Sequence, residues 1–306
     1  MISSLDGSSQ LFLADLNNVQ QHLAKINREI TSGLKITQAS DAPDQIESLL
    51  QLRADEQHDQ QIQTNLGVAQ TNAQAADDAL TSAIQLMDRA VTLAAQGASS
   101  TTDTTGRQSL AQEVQSLQAQ MVSLSQTTVQ GRYIFSGDSG QTEVYAYDPA
   151  GTNGVDQLAT VSSTLLVEHP AGGSFLAAKT ATEIFDLHNS DGTVASGNVF
   201  AALNSLETAL TADDPTGVAN ASDAVKAASA HLNSMQAFYG AVESRIQDAQ
   251  TFAGQYDTQL QTQLSQKQDA DVAADALDLS QTQIHMQAAF EMQASMPRKS
   301  LFDYLG

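Results

Sequence analysis

"TSGLKITQASDAPDQ" (residues 31–45) interrupts a chain whose apolar residues otherwise recur at helical spacing. Upstream, Leu16, Val19, Leu23, Ile26 and Ile30 alternate three and four apart, the spacing of a helix that buries one stripe in a bundle or coiled coil. Gly33 then supplies a stop, because glycine accepts the left-handed backbone of a helix C-terminus. Pro43 disfavours helical backbone at Ala42, so no single rigid helix is expected to pass through the stretch. Ser40 or Asp41 is placed to cap the next helix, with Pro43 in its first turn and Asp44 at the positive end of its dipole. Ser32, Gly33, Lys35, Asp41 and Pro43 thus mark a break between an N-terminal helix and all that follows.

Beyond the break the helical pattern resumes from about residue 43 to 97. Leu66, Ala69, Ala73, Ala76, Leu80, Ala83, Met87, Ala90 and Ala94 form one a/d series, rich in alanine and suited to close helix approach. Such a helix is roughly 80 Å long at about 1.5 Å per residue, and its seam needs partners along its length. Two are legible. After the loop "GASSTTDTTG" (97–106), Leu110, Val114, Leu117, Met121 and Leu124 keep the spacing. From Val225 through Ala228, Leu232, Met235, Tyr239, Val242, Ile246, Ala249, Ala253, Tyr256 and Leu260 a third series runs for five heptads.

Residues 138–196 differ: glycines, Asp-Pro and His-Pro turns, and short segments such as "TEVYAYDP" and "LATVSSTLLVEHP" predict a small β-rich insert. "GNVFAALNSLETAL" (197–210) returns to helix, and Asn220 with Ser222 reads as a helix cap. At the C-terminal end, Ala274, Leu277, Gln281, Ile284 and Ala288 share one stripe. The fold class is therefore mainly α: a long antiparallel helical bundle or coiled-coil trunk with amphipathic terminal helices and a small inserted β-rich domain. Its expected divisions are 1–42, 43–137, 138–196, 197–273 and 274–306.

Composition narrows function. Only 5% of the 306 residues are aromatic and there is no Trp, thin material for one large globular core. Thirteen Lys and Arg against 35 Asp and Glu give a formal charge of −22. So acidic a surface repels phosphate backbones and anionic lipid headgroups, which argues against nucleic acid as a partner. The absence of Cys removes disulfides and thiolate metal sites. No apolar run reaches the length of a spanning helix, so no membrane insertion is expected. "MISSLDGSSQLFLADL" has neither a basic n-region nor an apolar h-region, so no cleaved signal peptide is expected.

Catalytic, metal and cofactor-binding constellations are not expected. His22, His58, His169, His188, His231 and His285 form no H-x-x-x-H or H-E-x-x-H pattern. "GDSG" (137–140) lacks a second barrel's worth of β-sequence and reads as a turn into the insert. "DLHNSDGTV" (186–194) lacks the first and twelfth ligands of an EF-type calcium loop and reads as an Asx-type turn. No phosphate-cradling glycine motif occurs.

"ITSGLKITQASDAP" resembles the flagellin-superfamily signature: Ser32, Gly33, Lys35, Ile36, Asp41 and Pro43 match, whereas Asp44 departs from a usually small residue. "GAVESRIQDAQ" resembles the superfamily's G-A-x-x-N-R-[IL] element through Gly240, Ala241, Arg245 and Ile246, with Ser244 in place of Asn. "QTQIHMQAAFEMQAS" resembles its terminal helix. "GRYIFSG", with Gly131, Tyr133, Phe135 and Gly137, and the ending "SLFDYLG", with Leu301 and Phe302, are similar to members that join hook to filament more than to filament subunits.

The resemblance implies a non-enzymatic subunit of the bacterial flagellum, extracellular, with no cofactor. It implies export through a type III apparatus with a chaperone, followed by self-association and contact with adjacent junction, hook and filament proteins. The stripes at Leu16–Ile30 and Leu277–Ala288, with Leu301 and Phe302, would be the assembly interface. Because neither stripe can be buried alone, both helices would be largely disordered in a free monomer and order against each other and against neighbours. The break at Ser32–Asp41 would be a spoke between an inner tube and an outer trunk. Lys35, Arg132 and Arg245 would either pair with acidic neighbours in that assembly or stay solvated on the surface, which is the commoner fate of such a charge.

Overall fold

A computed structural model describes residues 7–163 and 166–295, with side chains from residue 10 onward. Leu301 and Phe302, and with them the "SLFDYLG" ending, lie outside the described residues. The helices are α1 (Gly7–Ser32), α2 (Ile46–Gly97), α3 (Thr104–Ser125), α4 (Ala181–Phe185), α5 (Val199–Thr211), α6 (Pro215–Gln268) and α7 (Val272–Ser295). Three antiparallel strand pairs complete the described chain: β1 (Thr128–Val129) with β2 (Arg132–Tyr133), β3 (Tyr145–Tyr147) with β4 (Val155–Gln157), and β5 (Leu166–Glu168) with β6 (Ser174–Leu176). Two compact units result, one from residues 59–256 and the other from residues 1–58 with 257–306.

In the 59–256 unit the heptad series of α2 forms the core as its spacing demands. Leu66, Ala73, Ala76, Leu80, Ala83, Met87, Ala90 and Ala94 are buried together with Val114 and Met121 of α3 and Val225, Leu232, Val242 and Ile246 of α6. Alanine at most α2 positions lets the helices approach closely, and Gln236 to Thr81 (2.9 Å) and Gln250 to Gln70 (2.9 Å) fix the antiparallel register of α6 on α2. The insert does not build a separate core. Val144, Tyr145, Val155, Val167, Ile184 and Phe185 belong to the same buried cluster as the helices, because two-stranded hairpins cannot bury a face by themselves. The Tyr145 hydroxyl donates to Asp186 Oδ2 (3.0 Å), and the Asn198 amide donates to the other oxygen, Oδ1 (2.8 Å), so the buried Asp186 carboxylate is bonded at both oxygens.

One cap in this unit differs from the sequence expectation. α6 starts at Pro215, where Asp214 Oδ1 accepts the Thr216 N–H (3.0 Å), so Asn220 and Ser222 lie inside the helix. Proline at the first helical position needs no N–H partner, which makes the earlier start favourable. At the far end of this unit, Arg107 is buried and ties two loops together: its Nε donates to Gly97 O (2.8 Å), while its guanidinium pairs with Asp213. The Thr104 hydroxyl also donates to Asp213 (2.7 Å), and these bonds hold its carboxyl below the usual carboxylate range.

The sign follows from linkage. A depressed folded-state pKa contributes stability above the unfolded-state value of about 3.9, and that contribution is lost as pH falls through the lower folded-state value. Asp213→Asn should therefore lower the thermal midpoint at pH 7, and its gap from the parent should close as the pH falls through the lowered folded-state value. A gap that is constant with pH would assign Asp213 a role other than this ion pair.

Candidate assembly surface

Within the unit of residues 1–58 and 257–306, α1 and α7 run antiparallel. Phe12 meets Phe290 edge to face at 6.4 Å, and His22 Nε2 lies 3.0 Å from Asp278 Oδ2. The latter pair is about half exposed and adds little. Burial of the apolar stripe carries the pairing. Ile26 is buried, and Leu16, Val19, Leu23 and Ile30 are half-buried.

From α7 the covered side chains include Thr282, which is buried, and the apolar Leu279, Met286 and Ala289, which are half-buried. The expected α7 stripe faces the other way: Leu277 is 67% and Ile284 62% exposed, and Ala288 is exposed too. α7 thus has two apolar stripes, one spent within the chain and one left open. The structure has both terminal helices formed and packed against each other.

The break at residues 31–45 is held by a second break. α1 ends at Ser32, and Gly33 takes φ +71°, with its N–H donating to Glu29 O (2.8 Å). Leu34 then bridges Asp269 in antiparallel fashion: Lys35 N–H donates to Gln268 O (2.8 Å) and Ala270 N–H to Gly33 O (2.9 Å). These bonds satisfy backbone groups orphaned at the ends of α1 and α6. Lys35 Nζ reaches Gln266 O at 3.4 Å, and Ile36 is buried beneath.

Asp41 is not a helix cap. Its Oδ2 accepts the N–H groups of Thr37 (2.9 Å) and Gln38 (2.8 Å) and the Thr37 hydroxyl (3.0 Å), and those backbone bonds hold its carboxyl below the usual range. Satisfying two loop N–H groups outcompetes reaching forward to a helix that begins only at Ile46. Pro43 sits in the turn before that helix.

The "GRYIFSG" segment lies in the other unit and acts as a clasp. Gln130 (φ +52°) and Gly131 (φ +77°) form the two-residue turn joining β1 to β2, where two positive φ values match the twist of a hairpin. Tyr133 N–H donates to Gly140 O (2.9 Å). Phe135 is fully buried, edge to face with Phe185 at 5.7 Å, and its carbonyl accepts the Ala181 N–H (2.7 Å).

Gly137 (φ +56°) opens the 3-10 turn Gly137–Ser139, where a Cβ would stand 2.2 Å from Ser162 O. Gly137→Ala combines left-handed backbone with a clash against main chain, and should cost about 2 kcal/mol or more in chemical denaturation. A cost below about 0.5 kcal/mol would show that the turn adapts. Arg245 is exposed on α6, and among the described residues neither it nor Arg132 nor Lys35 has an ion-pair partner.

Sequence reasoning passed over Leu11 (69% exposed), Leu13, Leu50, Val272 and Met292 (65% exposed), which enlarge the apolar surface of the terminal-helix unit. Scattered exposed apolar residues are ordinary, whereas this many in one small unit form an extended apolar surface. Among the described residues no helix is long and apolar enough to cross a membrane.

The terminal-helix unit thus pairs α1 with α7 and leaves an apolar face uncovered. The chain belongs to the bacterial flagellin family: residues 4–139 match the model of the bacterial flagellin N-terminal helical region, and residues 222–305 that of the C-terminal helical region. No curated protein matches it.

Solved structures share its fold. A structure given as that of a flagellar hook-associated protein from Vibrio parahaemolyticus is 17% identical, with a TM-score of 0.63 over 75% of this chain and 100% of that one. Hook-associated protein 3 of Legionella pneumophila is 14% identical, with a TM-score of 0.60 over 72% and 98%. FlgL of Bacillus cereus is 17% identical, with a TM-score of 0.53 over 72% and 100%.

Proposed function

We propose that the chain is a structural subunit of the junction between flagellar hook and filament. It has no enzymatic role and associates with copies of itself and with hook and filament proteins on the outside of the cell. The observation that carries this reading is the open apolar face of the α1–α7 pair, with Leu277 and Ile284 more than half exposed, on a chain whose described fold is that of proteins named as flagellar hook-associated. An interface of that kind is completed by neighbours, and the break at Ser32–Pro43 gives it a spoke separate from the trunk. The Leu16–Ile30 stripe serves inside the subunit, and the Leu277, Ile284 and Ala288 stripe serves between subunits. Delivery through the type III export apparatus, with a chaperone on the C-terminal helix, completes the reading.

Filament flagellin is the second reading, since both matching family models describe flagellin. Incubation of the full chain with isolated hook fragments separates the two under the electron microscope, with sulfate present to screen the −22 charge. The junction reading expects a short band at hook ends that stops growing as concentration rises. Long tubes that propagate with concentration would establish a filament subunit instead.

A further inference from the structure

Beneath the Gln130–Gly131 turn, a cavity of ≈ 240 Å³ opens between α2, the β1–β2 hairpin, the insert and α6. Its walls are mostly apolar, Val68 and Ala76 of α2, Val129, Ile134 and Ala178 among them. Val68, at 53% exposure, leaves an apolar wall open to solvent. Arg132 is the one charged side chain in the lining, and no carboxylate accompanies it. Its guanidinium lies against Gly140, where a Cβ would stand 2.9 Å from Nε, so the missing side chain gives the Arg132 head its seat.

In a chain with 13 basic and 35 acidic residues, an arginine with no ion-pair partner among the described residues, beside an apolar socket, is set for an incoming acid. The cavity is smaller than the roughly 300 Å³ at which drug-sized ligand sites begin. It suits an inserted side chain, the usual anchor of a protein contact.

The chain itself displays such an insert. Asp156 on β4 and Leu158 just after it are both exposed, Leu158 by 50%. The Leu158 N–H bonds Val144 O (2.8 Å), so the strand pairing continues through it. Residues two apart on an extended strand share a face, about 7 Å apart, so the carboxylate and the leucine point the same way. Among the described residues Asp156 has no ion-pair partner.

We propose that the cavity under the β1–β2 hairpin receives Asp156 and Leu158 of a neighbouring copy of this chain, with Leu158 against the Val68 wall and Asp156 on the Arg132 guanidinium. Socket and plug are different surfaces, so the contact is head to tail and closes a ring or continues a helix. That is the symmetry a junction collar requires, and the inference rests on the junction reading.

The test uses the full chain and isolated hook fragments, with the half-saturating concentration for coating hook ends as the readout. Arg132→Glu and Asp156→Arg should each raise it about tenfold, because each places like charges together. The double variant should return to within about twofold of the parent. Glu168→Arg, on the neighbouring hairpin, should change nothing. All three substitutions fall on exposed residues, so unchanged thermal midpoints should show that the monomers fold alike.

A parent chain that never coats hooks overturns the junction reading and the socket with it. A parent that coats hooks while Arg132→Glu has no effect, or while the double variant fails to recover, overturns the socket alone. Recovery of Arg132→Glu by Glu168→Arg instead of Asp156→Arg overturns the assignment of the plug.

Discussion

Leu277→Glu combined with Ile284→Glu should raise the concentration needed for assembly at least about 100-fold while leaving the free subunit as stable as before. Both side chains lie more than half exposed in the single chain, at 67% and 62%, so charges there meet water and the monomer should shift by no more than about 0.5 kcal/mol. In an assembly the same positions would be covered. Each loses roughly 2 kcal/mol of apolar burial, before the further cost of desolvating a carboxylate. Since about 1.4 kcal/mol is tenfold in an equilibrium constant, two such losses exceed two decades.

The contrast is Met286→Glu, on the half-buried face of the same helix, which should loosen the α1–α7 pair and lower the monomer's own stability. If the two pairs of effects were exchanged, with the outer stripe needed for the fold and the inner for assembly, the assignment of the two faces would be wrong.

Phe135→Ala should destabilise the 59–256 unit by about 3–5 kcal/mol, the range for truncating a fully buried aromatic. The ring is fully buried and packs edge to face on Phe185, which in turn stacks on Phe200 at 5.9 Å. Its removal empties the point where the "GRYIFSG" clasp, α4 and α5 meet. Equilibrium denaturation should show the midpoint fall with the slope preserved. A loss under about 1 kcal/mol would mean that the insert's packing is independent of the clasp. Phe135→Leu should recover part of the loss, since it restores most of the volume.

These cases show how far the sequence could be read. Helices α2, α3 and α6 were legible because long a/d series admit only one buried face, and residues such as Leu80 and Ile246 lie where that face demands. α7 was not orientable in the same way. Leu277 and Ile284 form one stripe, Leu279 and Met286 another, and a helix with apolar residues on two sides does not declare which side its own chain will cover.

The break was visible through Gly33 and Pro43, but its internal bonding was not. Asp41 had two uses for its carboxylate, and the choice depended on where α2 starts. The strand bridge from Leu34 to Asp269 joins residues more than two hundred positions apart, beyond any local pattern. The Arg107–Asp213 pair escaped for the same reason. The β character of the insert was readable from its turns, whereas its merger into the helical core was not. That merger follows from three short hairpins having too little apolar surface to enclose anything alone.

The central claim is that the outer stripe of α7 is open in the subunit and covered in the assembly. Hydrogen exchange tests it most directly, followed by mass spectrometry on the free chain and on the same chain bound to hook ends. Residues 272–295 should gain protection on assembly by at least about tenfold in exchange rate, with a smaller gain in the 59–256 core, which is already closed. Equal exchange of α7 in the two states, with protection appearing elsewhere, would contradict the account.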